Sequence, residues 1–497
     1  MGNPLFERKP LKMLLDEVHS ENRLRRILGP WQLTALGVGA IIGAGIFVAT
    51  GEAAHEKAGP ALMISYCVAG LTCVFAALCY AEFASMVPVA GSAYTYAYAT
   101  MGEMFAWIIG WDLTLEYAVG SATVANGWSS YFQSLLPDNF LPETLSKAPI
   151  VYDKVLHEFV SSGSYVNLPA VIIVAIVTFV LVKGIQESAR FNATMVLVKL
   201  AAVLFVIGVG AFFFNIDNWS NFAPYGWGGI TLFGHDVLGT SQGGKPVGML
   251  AGAAIIFFAY IGFDSVSTHA EEAKKPNRDV PFGIVTSLLV CTVLYIAVVA
   301  VLTGMVQYDQ IDKGAGVSMA FRSVGLGWAE VIIAIAGVAG ITSVLLVMML
   351  SAPRVFLAMS RDGMLPTKFF ADVHPKFRTP WKSTILVGSA VAIGAGLLPI
   401  DALLEMTNIG TLFAFAVVCT AVLIMRKKHP EAERPFRCPW VPLVPILGIL
   451  SCLMLMLSLE AANWWRLFVW LALGLVIYFV YSRHHTVLAK LRAQGKG

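Results

Sequence analysis

Long apolar stretches separated by short polar segments dominate this sequence. Most of these stretches hold about as many residues as a helix needs to cross the hydrocarbon core of a bilayer. Twelve runs can be counted, at residues 31–51, 61–87, 104–133, 168–184, 191–214, 247–270, 283–306, 328–357, 381–398, 401–425, 441–460 and 464–482. The pattern predicts an all-α polytopic membrane protein with 12 transmembrane helices, called spans one to twelve below.

Composition agrees with this pattern. The chain is 57% hydrophobic and 13% charged, whereas soluble domains carry about 25% charged residues. Its mean hydropathy of +0.72 excludes a soluble domain with a single anchor. Residues 1–30 are polar and contain no apolar signal-peptide core, so span one is expected to direct membrane insertion.

Span one carries several glycines in its middle. Gly37, Gly39, Gly43 and Gly45 lie within one apolar run, although glycine is a poor helix former. Unpaired backbone groups are costly in hydrocarbon, so a helix is expected to unwind only against a polar cavity. We expect a break at Gly43 and Gly45; close helix packing through small residues is the alternative.

Span six is interrupted in a similar way, five spans later. Residues 257–265 read FFAYIGFDS, where Gly262 and Asp264 interrupt an apolar run. Broken helices at corresponding positions of two five-helix halves are typical of inverted-repeat transporters, whose substrate site lies between them. The predicted organisation is a cytoplasmic segment (1–30), a first repeat (31–214), an extracellular loop (215–246), a second repeat (247–425), spans eleven and twelve (426–482) and a cytoplasmic tail (483–497).

The placement of lysine and arginine predicts the orientation. With the N-terminus inside, 26 of the 34 lysines and arginines lie in inside segments and seven outside, while Lys199 lies within span five. The asymmetry predicts a multi-pass protein of the cell membrane with both termini in the cytoplasm. The segment 88–103 is too short and too polar to span, and is expected to form a cytoplasmic loop or an interfacial helix.

The sequence offers no pattern for metal or covalent chemistry. It contains no HExxH, GxxxxGK[ST] or GxSxG motif, and the glycines of span one lack the remaining features of a dinucleotide site. Nearly all of the seven cysteines lie in apolar runs, without zinc or disulfide spacing. We therefore expect no cofactor, no metal, no catalytic residue and no nucleic-acid partner.

Six motifs follow one another in the order seen in a known transporter family. They are GAIIGAGIFVATG (39–51), ALCYAEFA (77–84), AGSAYTYAY (90–98), GWDLTLEY (110–117), GFDSVSTHAEEAKKPNRDVP (262–281) and SAPRVFLAMSRDGMLP (351–366). The chain resembles the amino acid–polyamine–organocation (APC) superfamily, and more narrowly a bacterial member of the cationic amino acid transporter family. The resemblance implies a LeuT-like fold with a 5+5 inverted repeat plus two C-terminal helices, although eukaryotic members usually have fourteen spans.

The resemblance implies that an L-amino acid binds between the two broken helices. Its carboxylate suits the N–H groups and the positive half-helix end at residues 42–45, and its ammonium suits carbonyls freed at both breaks. Phe258 aligns with an aromatic lid of relatives, although an ordinary core phenylalanine is the alternative. The predicted substrate-binding residues are Ile41, Ile42, Gly43, Ala44, Gly45, Phe258, Ala259, Ile261, Val344, Val347 and Met348.

Ionisable side chains inside spans are expensive and often functional. In sodium-independent relatives a lysine in span five replaces a sodium ion, which implies proton coupling for Lys199; snorkelling to the cytoplasm is the alternative. Thr342 and Ser343 match positions that bind this sodium in sodium-coupled relatives. Glu116 lies one turn after Asp112 in span three and is a second proton-coupling candidate, with a structural hydrogen bond as its alternative.

Two further acids are expected to act at a gate. Glu82 lies near the cytoplasmic end of span two, and Asp264 lies in the broken region of span six. With Phe258 they form the predicted gate residues. Glu405 in span ten has no partner that the sequence indicates.

The leading hypothesis is a secondary active transporter that imports L-amino acids by alternating access, coupled to protons and independent of sodium. The substrate stays open between cationic amino acids, such as arginine and lysine, and small neutral ones, such as alanine, because the span-eight wall is apolar. An amino acid exchanger is the main alternative. A membrane amino acid sensor or an embedded enzyme is disfavoured, since the tails are short and no catalytic constellation is visible. Protons and membrane lipid are the expected partners besides substrate.

Overall fold

The computed structural model describes residues 28–86, 92–137, 140–153, 158–184, 189–232, 235–242, 245–268 and 273–493. Most of the predicted N-terminal segment and the last residues of the predicted tail lie outside these ranges. Helices account for most of the described residues, and the strands there form three two-stranded hairpins.

The helices follow the apolar runs. In chain order the described α-helices are α1 Pro30–Ile41, α2 Thr50–Ala53, α3 Leu62–Met86, α4 Ser92–Thr100, α5 Glu103–Ser134, α6 Leu168–Lys183, α7 Ala189–Gly210, α8 Met249–Ile256, α9 Ser265–Thr268, α10 Pro276–Met305, α11 Gly316–Ser323, α12 Gly327–Arg361, α13 Thr367–Phe370, α14 Trp381–Leu397, α15 Ile400–Lys428, α16 Leu443–Leu457, α17 Ala461–Ile477, α18 Arg483–His485 and α19 Val487–Ala493. Wider π-turns cover Gly45–Ala49, Ala54–Ala58 and Tyr478–Ser482, and 3₁₀ turns cover Gly59–Ala61, Glu143–Leu145, Ala211–Phe213, Ile216–Trp219, Phe257–Tyr260 and Tyr308–Gln310.

Six helical stretches in the described ranges are long and apolar enough to cross a membrane. Four shorter apolar helices accompany them, at Leu168–Lys183, Met249–Tyr260, Trp381–Leu397 and Leu443–Leu457. The helical, polytopic character agrees with the prediction, whereas the count of twelve spans stays a prediction.

Helix starts have local causes. Pro30 occupies the first turn of α1, where its missing N–H has no intrahelical partner to lose. The Gln32 side chain accepts a hydrogen bond from the Gly29 N–H at 2.6 Å, which satisfies a free backbone donor at the start of α1. At the start of α6 the Asn167 side chain accepts from the Ala170 N–H, the usual way to satisfy a free donor.

The polar segment 88–103 holds a buried helix in its described part. Residues Ser92–Thr100 form α4, and the side chains of Tyr94, Tyr96 and Tyr98 are each at most 2% exposed. Of the two expectations for this segment, the helix therefore holds for Ser92–Thr100 and the loop does not. The helix contacts α5 and α15, and the three tyrosine rings explain why so polar a segment packs in the interior.

Short hairpins cover the connections. Strands β1 (Ile150–Asp153) and β2 (Glu158–Ser161) pair antiparallel, with Ile150 opposite Ser161. The predicted extracellular loop 215–246 contains β3 (Ile230–Leu232) paired with β4 (His235–Leu238), and β5 (Thr240–Gln242) pairs with β6 (Lys245–Val247). This loop leads directly into α8.

Candidate functional site

The first apolar run is broken in its middle. Helix α1 ends at Ile41, and Ile42 turns away from helical geometry with φ −70° and ψ 108°. The chain resumes as a π-turn at Gly45. The first N–H groups of a helical segment have no acceptor within it, so an anionic group could bind at such an end. Residues 41 to 49 are all buried.

The second break lies in the sixth run. Helix α8 passes into the 3₁₀ turn Phe257–Tyr260, and Ile261 is extended with ψ 131°. Gly262 follows with φ +119°, a conformation that only glycine adopts readily. The helix resumes with α9 at Ser265.

The two breaks touch each other at two places. A Cβ atom on Gly45 would collide with the Cα atom of Ala259. A Cβ atom on Gly262 would lie 2.8 Å from the main-chain oxygen of Ala40. The close approach of the two backbones therefore requires glycine at both positions. The sequence left unwinding and close helix packing as alternative explanations of the glycines in span one, and the structure shows both.

One tyrosine joins the carbonyls of both breaks. The Tyr295 hydroxyl of α10 lies 2.8 Å from the Ile41 oxygen and 3.1 Å from the Ala259 oxygen. Since a hydroxyl has one proton, it donates to one of these acceptors at a time. Both carbonyls belong to the predicted ammonium site, so Tyr295 belongs to the same neighbourhood.

Helix α12 supplies the apolar wall next to the first break. A Cβ on Gly43 would collide with the side chain of Val344. One turn later, Met348 lies against Gly120 of α5. Val344 and Met348 are buried, whereas Val347 is partly exposed.

Phe258 is buried in the 3₁₀ turn Phe257–Tyr260, at 5% exposure. Its main-chain oxygen accepts a hydrogen bond from the Ile261 N–H at 3.2 Å. The predicted lid residue therefore lies within the second break itself.

Lys199 of α7 reaches the first break. It is 1% exposed, and its Nζ donates to the main-chain oxygen of Gly39 at 2.6 Å. Its alkyl chain packs against Gly340 of α12. A Cβ atom added to Gly340 would lie 3.2 Å from the Lys199 Cγ. The side chain thus connects α1 with α12 rather than pointing toward an exposed surface.

Thr342 and Ser343 follow Gly340 on α12. The Thr342 hydroxyl accepts from Trp128 Nε1 at 2.9 Å and donates to the Val338 oxygen at 2.7 Å. Both residues are partly exposed. Thr342 and Ser343 therefore lie within one helical turn of Gly340, against which the Lys199 side chain packs.

A group of buried acidic side chains lies close to the second break. The Tyr117 hydroxyl donates to Asp264 Oδ2 at 3.2 Å. Glu116 is buried, with Asp112 and Asp264 as its charged neighbours. The oxygens of Asp112 and Glu116 Oε2 have no hydrogen-bond partner among the described residues.

Glu82 is anchored away from the breaks. Arg426 of α15 donates to both of its carboxylate oxygens, at 2.9 and 2.7 Å. Arg434 lies 3.3 Å from Oε1, and the Cys438 N–H donates to Oε2 at 2.8 Å. The predicted gate residue thus ties α3 to α15 and to the segment that follows α15.

Glu405 receives partners that the sequence did not indicate. Lys57 Nζ lies 3.5 Å from Glu405 Oε1, and both side chains are nearly fully buried. Asn463 of α17 donates to Glu405 Oε2 at 2.6 Å. Lys57 also donates to the Pro246 oxygen. This cluster connects the end of the first broken helix with α15 and α17.

Further charges surround the cluster. Lys245 Nζ lies 2.9 Å from Glu460 and 3.4 Å from Asp401. Burial lowers the pKa of Lys245, but these carboxylates and Glu405 raise it more, so the pKa lies above its ordinary value. Lys313 pairs with Glu56 nearby.

Sequence reasoning missed the polar side chains that hold the breaks. Tyr295 was hidden within an apolar run, as was Tyr117. Asn408 of α15 donates to the oxygens of Ala254 and Ile255, both at 2.9 Å, where α8 ends. The signal available was an asparagine inside a span, since such side chains need a hydrogen-bond partner.

Comparison with known proteins agrees with these features. The amino acid permease family model matches residues 28–481. The chain is 45% identical over 488 residues to the methylthioribose transporter of Bacillus subtilis (strain 168), covering 98% of this chain and 99% of that protein. It is 46% identical over 491 residues to the branched-chain amino acid permease BcaP of the same organism, covering 98% and 100%.

A more distant relative is the vacuolar cationic amino acid transporter 4 of Arabidopsis thaliana, 37% identical over 444 residues, with 86% of this chain and 68% of that protein covered. These relatives are named as transporters or permeases, and the family is not an enzyme family. With its apolar helices, the chain is a multi-pass membrane protein, and it belongs to the amino acid permease family of the APC superfamily.

Proposed function

We propose that this protein is a secondary active transporter that imports L-amino acids through the plasma membrane, with both termini in the cytoplasm. The observation that carries the proposal is the pair of broken helices in contact at Gly45 and Ala259. A half-helix N-terminus and freed carbonyls then lie together. This arrangement matches the carboxylate and the ammonium that every α-amino acid carries.

Within this site the substrate carboxylate binds the N–H groups of residues 42–45, and the ammonium binds the oxygens of Ile41, Ala259 and neighbouring carbonyls. The ammonium competes with the Tyr295 hydroxyl, which lies between two of these oxygens. Tyr295 therefore satisfies one of the two carbonyls at a time when the site is empty. Buried carbonyls without a donor would cost about 1–3 kcal/mol each.

The preferred substrates are neutral amino acids with apolar side chains. Val344 and Met348 support this, because a buried apolar wall penalises a charge left without a partner. The permease that shares 46% identity is named for branched-chain amino acids. Cationic amino acids are the second candidate, supported by the buried acids Glu116 and Asp112 on α5 and by the cationic amino acid transporters among the relatives.

Transport is coupled to protons through Lys199 and needs no sodium. The ammonium group holds the Gly39 oxygen next to the first break, so loss of its proton weakens the contact between α7 and α1. Glu116 is the second proton-coupling candidate, and Thr342 and Ser343 line the same region of α12. Alternating access then follows from movement of the broken helices, which belong to two inverted five-helix repeats, against the remaining helices.

Uptake into proteoliposomes tests the proposal. Vesicles with an inward proton gradient and no sodium should accumulate a labelled neutral amino acid, and a protonophore should abolish accumulation. A competition screen with all twenty amino acids then ranks substrates. Exchange without net accumulation would favour the exchanger, and absence of both binding and uptake for every amino acid would refute the assignment.

A further inference from the structure

One cavity of the protein is lined almost entirely by apolar side chains. It is a cleft of about 370 Å³ between α5, α15 and α17. Its walls include Leu115, Met406, Ile409, Trp470 and Leu473, and Arg466 lies at its edge. This volume falls within the range of cavities that hold small ligands, about 300–1,000 Å³. The walls exclude a polar solute, because they offer few hydrogen-bond partners.

The cleft opens toward the surface that contacts lipid. Helix α17 leaves Trp465 64% exposed and Val469 68% exposed. In a membrane such apolar side chains contact acyl chains, which are as apolar as leucine. Tryptophans are also enriched where the hydrocarbon meets the headgroups. In a bilayer, the opening of the cleft would therefore face lipid acyl chains.

Arg466 gives this apolar cleft one charge. Its Nη1 donates to Asn463 Oδ1 at 2.8 Å, and within the described ranges it forms no ion pair. Asn463 is itself held by Glu405 at 2.6 Å. The guanidinium is thus positioned by a buried hydrogen-bond chain while its charge stays available. It lies in the second turn of α17, about 8 Å from the start of the helix, so we expect it close to the headgroups when α17 spans the bilayer.

We propose that the cleft binds an anionic phospholipid from the bilayer, with the phosphate on Arg466 and an acyl chain against α5, α15 and α17. A guanidinium presents paired donors that match phosphate oxygens. Basic side chains near the membrane surface attract anionic lipids. The apolar walls accept the chain without leaving polar groups unpaired. This site is separate from the amino acid site and holds whether or not the transport assignment is correct.

Native mass spectrometry of the full-length protein tests the site, with phosphatidylglycerol and phosphatidylcholine as probes. The wild-type protein should retain one phosphatidylglycerol after delipidation that removes phosphatidylcholine. Arg466→Gln should weaken retention about tenfold, because a charge-assisted contact is lost. Arg466→Lys should retain part of the binding. Leu473→Trp, which fills the cleft, should displace the lipid while keeping the charge.

Arg322→Gln is the matched control, because that arginine lies on α11 beside Glu330, outside the cleft. It should retain phosphatidylglycerol like the wild type. Equal retention by Arg466→Gln, or equal retention of both lipids by the wild type, would overturn the proposal. A dimer that persists after delipidation and is dissociated by Leu473→Trp would also overturn it, since a second copy would then occupy the cleft.

Discussion

The Lys199 ammonium of α7 lies 2.6 Å from the main-chain oxygen of Gly39, just before the first helix breaks. It is the one described side-chain ammonium that contacts a carbonyl of α1. Because a charged donor strengthens such a bond, protonation of this group changes how tightly α7 holds α1.

Lys199→Ala should abolish proton-driven accumulation, because the substitution removes the group that we propose links protonation to the break. Exchange of labelled for unlabelled substrate needs no net proton movement and should survive, which also shows that the variant is folded. Proteoliposome uptake with an inward proton gradient measures the first activity. Lys183→Ala, at an exposed lysine, is the control. Accumulation by Lys199→Ala at the wild-type level would transfer the role to Glu116.

Gly45→Val should eliminate amino acid binding. Any side chain at this position collides with Ala259, so the two half-helices must separate and the freed N–H groups lose their position. Binding is measured by competition with a labelled substrate in detergent. Gly208→Val on α7 is the matched control, since nothing lies within 4 Å of its added Cβ. Wild-type affinity in a folded Gly45→Val protein would contradict the assigned carboxylate site.

Met348→Ser should shift substrate preference toward larger or cationic amino acids. The change removes volume and adds a hydroxyl to a buried wall, and one methylene in a pocket alters selectivity by about 10- to 200-fold. Val347→Ser should act in the same direction if that partly exposed residue also faces the substrate. The competition profile across twenty amino acids measures the shift, with Met454→Ser on α16 as control. Unchanged profiles in both variants would show that these residues face away from the substrate.

Glu405→Gln should destabilise the protein by about 3–5 kcal/mol, because it leaves the charge of the buried Lys57 ammonium without its carboxylate partner. The double variant Lys57→Met with Glu405→Leu should recover much of the loss. Thermal unfolding in detergent measures both. Asp372→Asn is the comparison: its partner Lys382 lies 2.6 Å away, but both side chains are about one-third exposed. That change should cost only about 0–1 kcal/mol, and an equal loss at the two sites would refute the argument from burial.

Hydropathy was sufficient to place the long helices. The tenth run, 401–425, corresponds to Ile400–Lys428, and the seventh, 283–306, to Pro276–Met305. The helix Pro276–Met305 begins seven residues before its apolar run, because Pro276 starts it within a polar segment that a hydropathy pattern does not mark as helical. Ends that lie in polar residues are set by caps and prolines rather than by apolar burial.

Glycine patterns located both breaks, but not what holds them together. Gly43, Gly45 and Gly262 indicated unwinding, because glycine has a backbone cost that only special geometry justifies. Tyr295 gave no such signal, since a tyrosine within an apolar run is ordinary.

The Glu405 and Lys57 pair joins residues 348 positions apart, and no local sequence pattern predicts such a contact.

The crossed contacts of Gly45 with Ala259 and of Gly262 with Ala40 have a mechanical consequence. Two points of fixed backbone contact remove the freedom of one broken helix to slide or swivel alone. We therefore expect the four half-helices to move together as one unit rather than independently. A single rate-limiting barrier for reorientation is then expected.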